Sequence, residues 1–393
     1  MSLNSALSWE QRKAKELFVS TADKGYPELP VLSATQDRGM IRRDENSINI
    51  FHDKKNEAGY KRVLPGQFVI HLRSFQGGFA HSTIEGITSP AYTVFGFSEP
   101  EKHDSEYWKY VFTSKSFIRR LETVTYGIRD GRSISYEEFL TLGFVYPSKA
   151  EQKAIARYLD KLSDLITLHQ RKYDKLTNVK KSMLEKMFPK NGSNVPEIRF
   201  KGFTEAWEQR KLGDVVKEIT RNDPESEAPI MMITANNGFI EQSERYAFNN
   251  AGESLKKYIL LKKGELAYNH GASKLRPYGS CFALTTAENA RIPFVYHCFS
   301  AENQNAEFMS IELNGAEIEN QLRKIVSSGA RMDGLLNISF DEYTSVSVLL
   351  PGTEEQDCIA DFFRQLDNLI TLHQRELEKL KNIKKSCLEN MFV

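Results

Sequence analysis

The sequence of 393 residues has few cysteines and no long apolar run. Its four cysteines, Cys281, Cys298, Cys358 and Cys387, form no CxxC pair. We therefore expect neither a disulfide framework nor a cysteine zinc site, but the reduced thiols of a cytoplasmic protein. No stretch of about 18 consecutive apolar residues exists, so no transmembrane helix is expected. The first residues, MSLNSALSWEQRK, lack the basic region and apolar core of a secretory signal.

An excess of one charge and the motifs of catalysis are also missing. The 53 Lys and Arg nearly balance the 52 Asp and Glu, which gives a net charge of +1. This argues against a protein that coats nucleic acid by bulk charge, although a local basic face stays open. There is no NPPY or DPPY methyltransferase motif, no GxxxxGK[ST] phosphate loop and no Cys/His cluster at metal-ligand spacing. We therefore expect no catalytic residue, metal or cofactor on this chain.

What the sequence does contain is a long repeat. Residues 151–188 align without a gap to residues 355–392, and 22 of the 38 aligned pairs are identical. The block LITLHQR at 165–171 recurs unchanged at 369–375. Neither copy contains Pro or Gly, and both are rich in residues that favour helix. The period is too long for a solenoid and indicates duplication of a whole module.

Each copy is expected to form one side of a coiled coil. Apolar residues recur at alternating spacings of four and three, which is a heptad pattern with one shorter step. A helix of this length, about 57 Å, cannot bury such a stripe alone. We predict that the two copies pair antiparallel, because two equal modules then close on each other. The predicted interface consists of Leu159, Leu162, Ile166, His169, Tyr173, Leu176, Met183, Phe363, Leu366, Ile370, His373, Leu377, Leu380 and Cys387.

A globular segment precedes each helix copy. The run WEQRK at 9–13 recurs at 207–211, so the duplication includes these segments, whose interiors have diverged. Their mixed strand and helix patterns predict an α+β fold with a pseudo-twofold internal repeat. The predicted domains are 1–146 (first globular domain), 147–190 (first helix), 191–203 (linker), 204–350 (second globular domain) and 351–393 (second helix). Predicted strands include 68–70, 92–95, 231–233 and 344–350, and predicted helices include 107–121 and 315–325.

Three stretches carry a family resemblance. They are PEIRFKGFTEAWEQRKLGDV at 196–215, the Gly-x-Arg landmarks at 127–129 and 329–331, and EQKAIARYLDKLSDLI at 151–166. With the repeat, they resemble the specificity subunits of type I restriction–modification enzymes over essentially the whole chain. The first module departs from the pattern, since it begins near Trp9 without a PEIRFKGF lead.

The resemblance implies a division of labour. Two target recognition domains would each read one half of an asymmetric, split site on double-stranded DNA. The helices would dock two modification subunits with adenine methyltransferase chemistry, which restriction subunits then join for ATP-driven translocation and cleavage. The chain itself would be non-catalytic. S-adenosylmethionine, ATP and Mg²⁺ would belong to the partner subunits.

Polar residues in or next to Gly-rich loops are the candidates for DNA contact, because loops carry variable function and because Arg pairs with guanine and Asn with adenine. The alternative for each is a solvated loop residue. Arg129 and Arg331 recur at equivalent positions and are expected to hold a loop or a phosphate. The candidates are Arg38, Arg42, Arg43, His71, Arg73, Ser74, Arg129 and Arg132 in the first module, and Asn236, Asn237, Asn269, His270, Ser273, Lys274, Arg276 and Arg331 in the second.

The alternative function is a non-catalytic coiled-coil scaffold that binds proteins without reading DNA. Diverged modules with basic loops favour the DNA reader over this scaffold.

Overall fold

A computed structural model of the chain describes residues 9–35, 37–46, 54–71, 78–123, 135–190, 192–235, 238–244, 252–326 and 335–392. The chain divides into two compact units. Unit 1 comprises Met1–Arg171 and Gln374–Val393, and unit 2 comprises Lys172–His373. Each unit thus combines a globular part with part of both long helices. The linear domain boundaries predicted from the sequence describe stretches of chain, whereas these units join stretches that are far apart in it.

Unit 1 is built around one four-stranded antiparallel sheet. Its strands are β1 (Glu10–Lys13), β2 (Phe18–Thr21), β3 (Leu32–Thr35), β4 (Gly39–Arg42), β5 (Lys61–Val63), β6 (Phe68–Ile70), β7 (Phe79–His81), β8 (Gly86–Thr88), β9 (Thr93–Phe97) and β10 (Gly143–Tyr146). Its helices are α1 (Ala14–Leu17), α2 (Ser105–Thr113), α3 (Lys115–Thr123), α4 (Tyr136–Phe139) and the start of α5 (Lys149–Lys186). The sheet has the order β2-β9-β6-β7, beside the pairs β1-β10, β3-β4 and β5-β8.

An aromatic core fills the space between this sheet and the helices α2 and α3. The predicted helix over 107–121 is two helices, because Ser114 interrupts it. The Ser114 hydroxyl donates to the carbonyl of Val111 at 2.7 Å and accepts from the backbone N–H of Phe117 at 3.2 Å. One serine therefore ends α2 and caps α3, a competition with helical hydrogen bonds that apolar periodicity does not reveal.

Unit 2 repeats this arrangement strand for strand. Its strands are β11 (Glu208–Lys211), β12 (Val216–Glu218), β13 (Met231–Thr234), β14 (Gly238–Glu241), β15 (Ile259–Lys262), β16 (Leu266–Asn269), β17 (Ser280–Ala283), β18 (Asn289–Ile292), β19 (His297–Ala301) and β20 (Ser347–Leu350). Its helices are α6 (Ala306–Leu313), α7 (Ala316–Ile325), α8 (Phe340–Thr344) and most of α9 (Thr353–Asn390), with the end of α5. The sheet order β12-β19-β16-β17 and the pairs β11-β20, β13-β14 and β15-β18 match unit 1 in sequence order. The repeat thus extends through interiors whose sequences have diverged.

Local sequence predicted several of these elements. The strands at 68–70 and 231–233 are β6 and most of β13, and the helix predicted at 315–325 is α7, preceded by Gly315 as N-cap. The strand predicted at 344–350 begins only at Ser347, since Thr344 ends the helix α8. That helix starts with a capping box, in which the Ser339 hydroxyl accepts from the N–H of Glu342 at 3.2 Å.

The two long helices run antiparallel, as predicted. In unit 1 the first part of α5 meets the last part of α9, where Lys384 Nζ donates to Ser163 Oγ at 2.8 Å. In unit 2 the last part of α5 meets the first part of α9, where Lys180 Nζ lies 2.5 Å from Asp367 Oδ1. Both contacts join the same pair of repeat positions, since Lys384 aligns with Lys180 and Asp367 with Ser163.

The phenylalanine that closes each helix repeat packs into a globular core. Phe392 lies against Tyr107 in unit 1, with ring centroids 5.6 Å apart. Phe188, at the same repeat position, stacks on Phe308 in unit 2 at 5.8 Å. The globular part of unit 1 is thereby attached to the end of α9, and that of unit 2 to the end of α5.

Candidate nucleic-acid interface

Two loops leave the same end of the four-stranded sheet in each unit. In unit 1, β6 ends at Ile70, directly opposite Thr93, the first residue of β9. The end of β6 and the segment before β9 therefore lie at one end of the sheet. In unit 2 the corresponding neighbours are Tyr268 and His297. Several of the predicted DNA-contacting residues lie in or beside these loops.

In unit 2, the loop between β16 and β17 forms a tight turn. The N–H of Ser273 donates to the carbonyl of Arg276 at 3.1 Å, and the N–H of Arg276 donates to Ser273 Oγ at 3.0 Å. Ser273 and Lys274 are exposed, whereas Arg276 is half-buried and donates through Nη1 to the carbonyl of Asn314 at 2.8 Å. Burial lowers the pKa of the Arg276 guanidinium. Arg276 thus anchors the turn, and Lys274 is the cation that it presents to solvent.

Asn269 and His270 hold this loop to its neighbours. The Asn269 side chain donates to the carbonyl of Ile233 in β13 at 3.1 Å. His270 is only 6% exposed, and its Nδ1 and Nε2 lie 2.9 and 2.6 Å from the carbonyls of Leu336 and Val295. The sequence placed His270 among the DNA contacts, but this burial makes it a residue that positions loops.

In unit 1, Arg38 lies in the turn between β3 and β4. Its side chain is exposed, and its backbone N–H donates to Thr35 Oγ1 at 3.1 Å. Thr35 Oγ1 in turn donates to the carbonyl of Gly39 at 2.8 Å. Gly39 has a φ of +69°, and any Cβ there would collide with the backbone carbonyl of His81. These contacts hold Thr35, Arg38 and Gly39 in place, and the Arg38 side chain is exposed to solvent.

The other described candidates of unit 1 are less freely presented. Arg42 is exposed and pairs with Asp44 at 3.3 Å. Arg43 is half-buried. His71 is also half-buried, with its ring 6.1 Å from that of Tyr92 in the segment before β9. The remaining candidates, Arg73, Ser74, Arg129, Arg132, Asn236, Asn237 and Arg331, lie outside the described residues.

Each long helix carries an inner and an outer apolar stripe. The residues of the predicted interface are buried or half-buried, with Leu162 and Leu366 each 6% exposed. The outer stripe is exposed and occupies identical repeat positions. It consists of Leu165 and Leu168 on α5, 42% and 46% exposed, and of Leu369 and Leu372 on α9, 46% and 51% exposed.

A buried glutamine connects each long helix to its globular part. The Oε1 of Gln152, at the start of α5, accepts from the N–H of Asp104 at 2.9 Å. The Oε1 of Gln356, at the start of α9, accepts from the N–H of Asn305 at 3.0 Å. Asp104 and Asn305 are the N-caps of α2 and α6. Sequence reasoning missed these glutamines, although their identity in the two copies was a signal.

No arrangement for metal chemistry occurs in the part of the chain that the structure describes. These residues contain no group of three or more His, Cys, Asp or Glu that could hold a metal ion. The buried thiol of Cys281 has its pKa raised to about 12 by burial, and burial likewise raises the pKa of Cys298. Such thiols stay protonated and unreactive.

Among the described helices, none has the length and apolar character needed to cross a bilayer.

Comparison with solved structures identifies the fold. No protein-family model matches the sequence. The S subunit of a type I restriction–modification system from M. genitalium is similar in structure, with a TM-score of 0.50 and 14% identity, over 100% of this chain and 98% of that one. The chain has the fold of that S subunit.

Two other solved chains are similar at lower scores. The HsdS subunit from Thermoanaerobacter tengcongensis has a TM-score of 0.46 and 14% identity, covering 98% of this chain and 96% of that one. A chain from a structural study of complex assembly and conformational transition in the type I R-M system has a TM-score of 0.45 and 12% identity, covering 99% and 98%.

Proposed function

We propose that this chain is the DNA-specificity subunit of a type I restriction–modification complex. Each unit reads one half of a bipartite, asymmetric target, and the chain itself catalyses no reaction. The observation that carries the proposal is the repetition of one strand order in two units with different residues in the loops at the sheet end. The fold shared with the M. genitalium S subunit supports it.

A fixed frame with variable loops suits sequence reading. Contacts to phosphates position a protein on DNA, whereas contacts to base edges specify the sequence. Arg38 in unit 1 and Lys274 in unit 2 are exposed cations beside hydrogen-bonded turn residues, so they are suited to these contacts. The long helices, common to both units, set the spacing of the two half-sites, as dimer geometry does for operators.

The outer leucine pairs on the long helices are the proposed docking surfaces for the modification subunits. Leu165 and Leu168 belong to unit 1, and Leu369 and Leu372 belong to unit 2. They lie in the identical block LITLHQR, so each unit offers the same surface to one copy of the same partner. Restriction subunits join this assembly in the cytoplasm. S-adenosylmethionine, ATP and Mg²⁺ bind to these partners.

The direct test maps DNA methylation. Cells that express the full chain with its modification subunits should carry methylated adenines at a single split motif. Cells with the modification subunits alone should carry none. A complex that assembles with its partners but produces no motif would favour the coiled-coil scaffold instead.

A further inference from the structure

Leu275 is the most exposed large apolar side chain among the described residues, at 61%. It lies between Lys274 and Arg276 in the loop that joins β16 to β17. A single exposed leucine is common on protein surfaces and indicates little by itself. Leu275, however, lies in a loop that is held by several hydrogen bonds.

The turn fixes Leu275 at its tip. The two hydrogen bonds between Ser273 and Arg276 leave only Lys274 and Leu275 between them. On one side, the Arg276 guanidinium is anchored to the carbonyl of Asn314 at 2.8 Å. The tip is therefore preorganised, and binding through it costs little conformational entropy.

The base of the loop is equally fixed. The Tyr268 hydroxyl donates to the carbonyl of Tyr278 at 2.6 Å. Gly279 has a φ of +82°, and a Cβ there would lie 2.6 Å from the Asn269 carbonyl oxygen. The loop thus closes tightly onto the end of β16.

An exposed aromatic side chain also lies at the same end of the sheet. Phe294, 49% exposed, is in the turn before β19, where the N–H of Tyr296 donates to the carbonyl of Pro293 at 3.0 Å. The next residue, Val295, places its carbonyl 2.6 Å from His270 Nε2, which ties this turn to the base of the Leu275 loop. The end of the sheet in unit 2 therefore offers apolar groups beside an exposed lysine.

We propose that Leu275 contacts DNA bases in the half-site that unit 2 reads. This inference rests on the proposed function and adds an apolar base contact to it. The two-residue tip enters a groove, Lys274 meets a phosphate, and the Leu275 side chain packs on the bases. Proteins use apolar side chains in this way against the thymine methyl group or as wedges between base steps.

The test compares Leu275→Ala with Lys274→Ala in the full chain assembled with its modification subunits. Binding is measured at several salt concentrations on a duplex that carries the mapped motif and on one with the unit 2 half-site scrambled. Leu275→Ala should bind the motif about tenfold more weakly, with unchanged affinity for the scrambled duplex and an unchanged salt dependence, because an apolar contact releases no counterion. Lys274→Ala should weaken binding to both duplexes and reduce the salt slope by about 1.

Two controls accompany this comparison. Leu275→Met should bind like the wild type because it keeps an apolar group of similar size. Leu64→Ala removes another leucine that is 39% exposed, in the turn before β6 at the opposite end of its sheet, and should leave binding unchanged. Since Leu275 is exposed, the thermal unfolding of the Leu275→Ala variant should match that of the wild type.

Two outcomes would overturn the inference. In the first, the wild-type complex binds the motif more tightly than the scrambled duplex, but Leu275→Ala binds the motif as tightly as the wild type does. In the second, the wild-type complex binds the motif and the scrambled duplex equally well, which overturns the proposed function as well. Replacing the thymines of this half-site by uracil distinguishes a thymine-methyl contact from a wedge between base steps. Only with a thymine-methyl contact should this replacement weaken DNA binding by the wild type and leave binding by Leu275→Ala unchanged.

Discussion

At the scale of the residue, one buried ion pair fastens the segment that precedes unit 2's first strand. Arg199 Nε and Nη2 each donate to one oxygen of Glu355 at 2.7 Å. The two side chains are 13% and 2% exposed. Arg199 lies in the PEIRF stretch, and Glu355 begins the second helix repeat. The pair therefore attaches the segment that precedes β11 to the start of α9.

Removal of the arginine should destabilise unit 2. Arg199→Ala leaves the Glu355 carboxylate buried without its partner, and the expected loss in free energy of unfolding is about 3 kcal/mol. Thermal unfolding of the full chain measures this. Glu151→Ala alters the same repeat position in α5, which is half-buried, and should change stability by no more than about 0.5 kcal/mol. Equal losses in both variants would show that the ion pair has no special role.

Glu312 in α6 should make stability depend on pH. Burial raises the pKa of its carboxyl to about 7, and its Oε1 accepts from the N–H of Leu349 at 3.1 Å. In the unfolded chain the pKa is about 4.3. Between these values the folded protein holds a proton that the unfolded chain has lost, so the stability contributed by Glu312 is complete below about pH 4.3 and is lost as the pH rises through 7.

Glu312→Gln should therefore flatten the stability profile. The glutamine keeps the acceptor for Leu349 but has no charge to bury, so at pH 8 the variant should be more stable than the wild type by on the order of 2 kcal/mol. The advantage should shrink as the pH falls and should disappear below about pH 4.3. Unfolding midpoints across this range test the effect, with the exposed Glu302→Gln as control. Parallel profiles for wild type and Glu312→Gln would contradict it.

Residue roles were only partly predictable from the sequence. Polar character and glycine-rich surroundings indicate that Arg38 and Lys274 are on loops, and the structure shows both exposed. The same pattern cannot reveal that His270 is buried, because the carbonyls beside it belong to Leu336 and Val295, 66 and 25 residues away in the chain. Contacts of that range are set by tertiary packing.

At the scale of the element, the long helices were the most predictable feature. The segments predicted at 147–190 and 351–393 contain α5, Lys149–Lys186, and α9, Thr353–Asn390. Heptad spacing and the absence of Pro and Gly are local signals that act along the whole helix. The strands are only three to five residues long in the described parts, so each offers too few residues for a clear alternating pattern.

The two stripes of a long helix should respond differently to the same change. Leu366→Lys introduces a charge at a position that is 6% exposed, so the helix pair should lose several kcal/mol of stability. Leu369→Lys, at a position that is 46% exposed, should leave stability within about 0.5 kcal/mol of the wild type. Thermal unfolding separates the two variants.

The binding of modification subunits should depend on the outer stripe. Leu369→Lys should assemble with one modification subunit fewer than the wild type, because one of the two proposed docking surfaces carries a charge. Light scattering of the purified complex gives this stoichiometry. A full complement of subunits on Leu369→Lys would exclude the outer leucines as the docking surface.

At the scale of the whole molecule, duplication is visible in the sequence only at its edges and in its helices. The structure extends it through every strand pair that the described residues form. Backbone ladders tolerate many side chains as long as one face of each strand stays apolar, so the interiors could diverge while the topology stayed the same. A sequence comparison measures side chains and therefore loses the repeat where the backbone retains it.

This separation of frame and loops makes the two readers exchangeable one at a time. Replacing residues 16–146 by those of a related chain changes the turn that holds Arg38 and the loop after β6, but leaves the whole of unit 2's globular part unchanged. The donor must supply an aromatic side chain in place of Tyr107, because Phe392 of the retained helix packs against it at 5.6 Å.

Methylation mapping of this chimera should show a new sequence in one half of the motif and the original sequence in the other. The reciprocal exchange in unit 2 should change the other half alone, since each set of loops rests on its own sheet and core. The spacing between the halves should stay the same in both chimeras because α5 and α9 are untouched. Changes in both halves after either exchange would mean that the base contacts of one unit depend on the other, and the two units would then have to be treated as one reader.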